Sequence, residues 1–115
     1  MSRGWWGGLA SAMVVVGLAC SGTPTMDHEQ LASAQKQLHS LDAEALLFDQ
    51  LVARREVTRR FAHAHAFYLH RAAREVSKKL AEARPAPGAE AEFEHVRADA
   101  TRLEQRFVAL VLRFQ

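Results

Sequence analysis

Histidine is the side chain in this 115-residue sequence best suited to chemistry, and there are six: His28, His39, His63, His65, His70 and His95. Three fall in the run Phe61-Ala62-His63-Ala64-His65-Ala66-Phe67-Tyr68-Leu69-His70. Imidazole binds divalent metals, but a helix offers two imidazoles to one ion only at spacings of three or four residues. His63 and His65 are two apart and diverge. His63 and His70 share a face but stand about 10 Å apart along the helix axis. They come nearest to a ligand pair, yet they need a bridging ligand from elsewhere, such as His95 or a residue of another chain. The expectation is no metal, with His65 at the edge of a core and His63 and His70 solvated.

Other reactive groups are sparse. The hydroxyls Ser33, Ser40, Ser77, Thr58 and Thr101 lie in stretches that read as helical, without a His/Asp arrangement that would activate them. No Gly-rich loop is there to cradle a phosphate. We therefore expect no enzyme and no small-molecule substrate. Charge is segregated instead. Residues 27–49 carry Asp27, Glu29, Asp42, Glu44 and Asp49 against Lys36, whereas residues 54–79 carry eight bases against Glu56 and Glu75. Arg60, His63, Phe67, His70, Arg71, Arg74 and Lys78 would share one helical face. Such a stripe suits an anionic partner: lipid headgroups, a cell-wall polymer, an acidic helix, or the acidic segment of a second copy. The plainer reading is a solvated face that keeps the protein soluble.

The N-terminus reads as an export segment. Arg3 precedes an uncharged run from Gly4 to Ala19, the order of a secretory signal. The run is shorter than the ~20 residues a helix needs to cross a bilayer. It ends in Gly17-Leu18-Ala19-Cys20, and Cys20 is the only cysteine. This tetrapeptide resembles the lipobox of bacterial lipoproteins, with small Ala19 before the cysteine and Gly17 where Leu or Val is usual. The resemblance implies a signal peptide over 1–19, cleavage before Cys20, and a covalent lipid on Cys20 as the only attached group. It implies a tether over 20–26. Ser21, where Asp would imply retention in the inner membrane, implies the periplasmic face of the outer membrane. An uncleaved transmembrane anchor and an ordinary cleaved signal are the alternatives. Nucleic acid is not expected as a partner of an exported protein.

The elements that must position these residues are helices. Between Met26 and Gln115, Ala, Leu, Arg, Glu and Lys supply 52 of 90 residues, and the chain has no Ile and no Asn. That composition belongs to helices and coiled coils and excludes sandwiches, barrels and dinucleotide-binding folds. Asp27 is a candidate cap, and no Gly or Pro follows until Pro85. One helix is predicted over 27–84, a turn over 85–88 and a second helix over 89–115. Leu31, Ala34, Leu38, Leu41, Ala45, Phe48 and Val52 form a heptad seam, as do Phe93, Val96, Ala100, Leu103, Phe107, Leu110 and Phe114. Val57, Phe61, His65, Tyr68, Ala72, Val76, Leu80 and Ala83 follow an 11-residue period instead.

The predicted fold is all-α: an elongated antiparallel helical hairpin whose facing residue numbers add to about 174. In it Glu90, Glu92 and Glu94 would approach Arg74, Lys78 and Lys79. A coiled-coil-like N-terminal extension would then use Leu31, Leu38, Leu41, Phe48 and Val52 to meet a second copy or another envelope protein. The alternative is a three-helix bundle broken near Ser40 or Arg54. The functional expectation is a membrane-anchored helical structural or interaction module of the cell envelope. The alternative is a periplasmic metal- or stress-sensing or chaperone hairpin that uses the His/Arg-rich face.

Overall fold

The computed structural model describes residues 22–115, so the segment 1–19 expected to be a signal peptide and Cys20 lie outside the described residues. Three helices account for most of them: α1 (His28–Ala53), α2 (Arg59–Ala81) and α3 (Glu90–Arg113). Two dipeptides, β1 (Thr25–Met26) and β2 (Arg84–Pro85), pair in parallel. The chain is all-α, and α2 and α3 form the expected antiparallel hairpin. Arg59 donates to the backbone oxygen of Gln115 at 2.7 Å, a pair whose numbers add to 174.

α1 does not continue into α2. It folds back along the hairpin, so the chain takes the three-helix alternative, broken at the Arg54 end of the stretch predicted as one helix. The break is built without glycine or proline. Arg55 adopts φ 58°, its N–H bonds the oxygen of Val52, and the N–H of Glu56 bonds the oxygen of Leu51. This pair of bonds is the Schellman stop, in which a left-handed residue closes the last turn. α2 then starts on Thr58, whose hydroxyl accepts from the N–H of Phe61 at 3.1 Å. Val57 just before the cap and Ala62 inside the first turn both pack on the core, in the positions of a hydrophobic staple.

A left-handed backbone costs a non-glycine residue about 1–2 kcal/mol, partly offset by the greater freedom glycine loses on folding. Arg55→Gly should therefore raise stability by about 0.5–1 kcal/mol, read as a Tm increase of a few degrees. A lower Tm would show that the Arg55 side chain itself holds the turn.

The other ends are conventional. Asp27 caps α1 by a capping box with Gln30. The chain reverses between α2 and α3 over Ala86-Pro87-Gly88-Ala89. There the N–H of Ala89 bonds the oxygen of Ala86, and Gly88 supplies the φ of 89° that a type II turn needs after proline.

All three helices bury strict heptad seams. α1 contributes Leu31, Leu38, Leu41, Ala45 and Phe48, and α3 contributes Phe93, Val96, Ala100, Leu103, Phe107 and Leu110. Leu31, Leu38, Leu41 and Phe48, expected to await another chain, are thus covered by α2 and α3 of their own, and Val52 packs against the same core. The reading of α2 needs a larger correction. Its buried residues are Ala62, Ala66, Leu69, Ala73, Val76 and Leu80, while Phe61 and Tyr68 are half exposed. The seam is a heptad one residue away from the predicted 11-residue stripe at its N-terminal end. Alanines allow close approach of two axes, and α2 and α3 are the most intimate pair in the bundle.

Candidate functional site

A ladder of polar pairs fixes α1 beside α3. His28 pairs with Glu92, Gln35 with Asp99 and Asp42 with Arg106, each 64 residues apart and one heptad from the next. A constant offset means that α1 and α3 run parallel. Pairs at the positions flanking a heptad seam set orientation and register. Arg106 forks between two acids of α1, Asp42 at 2.6 Å and Asp49 at 3.3 Å. A hydrogen bond from the Gln35 amide, outweighing partial burial and joined by Arg102 and the nearby His95, holds the Asp99 carboxyl below its ordinary pKa.

This ladder decides what happens to the segregated charge. Of the acids of α1, Asp42 and Asp49 turn to Arg106 of α3, whereas Glu44 lies 3.7 Å from His65 of α2. Glu92 pairs with His28 and Glu94 with Arg97, so they do not meet Arg74, Lys78 and Lys79 as the sequence suggested. The basic flank of α2 is left uncompensated. Arg60, Arg71, Arg74 and Lys78 are exposed, His63 and His70 are half-buried, and Phe67 is exposed. None of these cations has a carboxylate within ion-pair distance among the described residues. The predicted residues therefore do share one flank of α2. Arg71, Arg74 and Lys78 border a shallow depression of about 220 Å³ with Glu75. Arg60 and His63 border another of about 500 Å³ with Arg59, Phe114 and Gln115.

The histidines do not converge on an ion. Among the described residues no three His, Cys, Asp or Glu side chains gather closely enough to hold a metal. His65 sits at the core edge, stacked on Phe61 at 5.7 Å and lying 5.0 Å from Phe48 and 5.5 Å from Tyr68. The predicted stripe of α2 thus does bring its rings together, but against α1 rather than in the α2–α3 seam. The sequence reading did not single out Arg55, Arg59 or Arg113. Their grouping depends on the break at Arg55, which carries no glycine or proline signal.

Fold and site together define the class: a heptad-built three-helix bundle with a polar α1–α3 seam and an uncompensated basic flank. No protein-family model, curated protein or solved structure matches the chain.

Proposed function

We propose that the chain is a lipid-anchored helical interaction module of the bacterial cell envelope, held by acyl chains on Cys20 at the periplasmic face of the outer membrane. The observation that carries this reading is the clamp at the start of the bundle. The oxygens of Pro24 and Met26 accept the N–H groups of Arg84 and Ala86 at 2.9 Å, pinning the incoming chain to the strand next to the α2–α3 turn. Only residues 21–23 separate Cys20 from that clamp, a reach of roughly 10 Å when extended. A lipid on Cys20 would hold this end of the bundle against the membrane. The Arg54–Thr58 loop would then stand about 39 Å away along α1.

A long flexible linker would have left the bundle free to tumble, whereas this arrangement presents a fixed flank and a fixed far end. Among the described residues no helix is long and apolar enough to cross a membrane. The flank formed by Arg60, His63, Phe67, His70, Arg71, Arg74 and Lys78 is then offered to anionic partners in the envelope. No observation favours a metal- or stress-sensing hairpin over this reading. The test is metabolic labelling of the full chain with an alkyne analogue of palmitate. Label should appear on the wild type and vanish in Cys20→Ala, and label that persists in Cys20→Ala would overturn the anchor.

A further inference from the structure

The large apolar side chains that the bundle leaves exposed all lie in the half remote from the clamp. They are Leu46 and Leu47 late in α1, Phe61, Phe67 and Tyr68 early in α2, and Val108 and Leu112 late in α3, each 40–60% exposed. The same end collects Arg54, Arg55, Arg59, Arg60 and Arg113, with Asp49 and Glu56 the acids beside them. Asp49 is held by Arg106 and Glu56 by Arg54. Of the five arginines, Arg55, Arg60 and Arg113 have no carboxylate partner among the described residues. Two of the five rest against the tip itself: Arg59 on the oxygen of Gln115, and Arg113 with its guanidinium 5.2 Å from the centre of the Phe114 ring. The clamped end has the opposite sign, with Asp27, Glu29, Glu82, Glu90, Glu92 and Glu94 around Lys78, Lys79 and Arg84. The bundle is electrically polar along its axis.

Unpaired arginines interleaved with exposed phenylalanine and leucine make a surface suited to a membrane interface. The apolar side chains enter the boundary between headgroups and acyl chains, and the cations meet lipid phosphates. A hydrophilic acidic polymer would answer the charge and leave the apolar side chains in water. We propose that the Arg54–Thr58 end of the bundle docks on an anionic lipid bilayer. The proposal goes beyond the lipoprotein reading and does not need Cys20 to be acylated. Where both hold, the chain touches lipid at two ends about 39 Å apart.

Every buried residue of the described core lies between Leu31 and Leu110, so the segment 22–115 carries that core whole and, once circular dichroism shows it folded, can be tested without lipid. Co-sedimentation should show it bound to phosphatidylglycerol-containing vesicles at low salt and poorly bound to phosphatidylcholine vesicles. Combining Arg55→Gln, Arg59→Gln and Arg60→Gln should weaken the anionic binding by about ten-fold or more. Leu47→Ser with Phe61→Ser should weaken what survives at high salt. Lys79→Gln with Arg84→Gln, at the clamped end, should leave binding unchanged, and circular dichroism would establish that each variant is folded. The proposal is overturned if the wild-type segment ignores anionic vesicles at low salt, or if the Lys79/Arg84 variant loses as much as the arginine variant. It is also overturned if the serine pair has no effect and polyglutamate competes fully, which would assign the tip to an acidic polymer.

Discussion

Phe107→Ala is expected to cost the bundle about 3–5 kcal/mol, the range for removing a fully buried aromatic ring from a core. Phe107 is 0% exposed. The registers set by Asp42 with Arg106 and by Arg59 with Gln115 put position 107 level with residue 43 of α1 and residue 67 of α2, so the buried side chains nearest that level are Leu41 and Ala45 on α1 and Ala66 and Leu69 on α2. An alanine at 107 would leave a space that these neighbours cannot fill without moving. Small domains have a total stability of about 5–15 kcal/mol, so a Tm fall of 12 °C or more is expected, at roughly 4–8 °C per kcal/mol. Phe67→Ala, which removes the same ring from a half-exposed site, should cost at most about 1 kcal/mol. Equal losses in the two variants, read by urea and thermal melts, would mean that the core is not where the heptads put it.

The seams of α1 and α3 were legible because leucine and phenylalanine occupy their heptad positions and polar residues flank them. α2 was harder, because it carries two apolar stripes one residue apart. Phe61 and Tyr68 outweigh Ala62, Ala66 and Ala73 in hydrophobicity, so pattern reading chose the bulky stripe. Packing chose the other, because the gap between two close helices admits a methyl group and not a ring. Val76 and Leu80 belong to both stripes and hid the difference. The break at Arg54–Thr58 was hidden for another reason. Helix stops are sought at glycine and proline, and this one rests on backbone bonds around a left-handed arginine. The legible part of it is Val57-Thr58, a staple residue followed by a cap, although without a glycine or proline there the spacing predicts one helix running through both.

The site shows the same division. The basic flank from Arg60 to Lys78 follows from helical spacing alone, so the sequence suffices to assemble it. Whether acids neutralise it depends on which way α1 folds back. The acidic segment could have covered the flank had its heptad ladder not been satisfied by Arg106, Asp99 and Glu92 of α3. The arginine-rich tip joins residues 46–61 to residues 108–113, a juxtaposition that exists only once the bundle closes.

Ala66→Leu tests the corrected seam directly. Ala66 is 0% exposed, and by the Arg59–Gln115 register it lies level with residues 107 and 108 of α3. Three added carbons have no vacant space there, and the helices must separate or the leucine must leave its rotamer, at a cost of about 1–3 kcal/mol or more. Separation would also loosen Ala62, Ala73 and Ala100, whose close packing depends on the same interaxial distance. Phe61→Ala and Tyr68→Ala, at side chains 49% and 51% exposed, should each cost at most about 1 kcal/mol. The bulky-stripe seam makes the reverse prediction: loss of the rings would be severe, and a leucine at position 66 would sit harmlessly in solvent. Melts of the three variants side by side decide between the two faces of α2. A Tyr68→Ala that costs more than Ala66→Leu would rotate the helix by about 100° per residue of shift and return Phe61 and Tyr68 to the core.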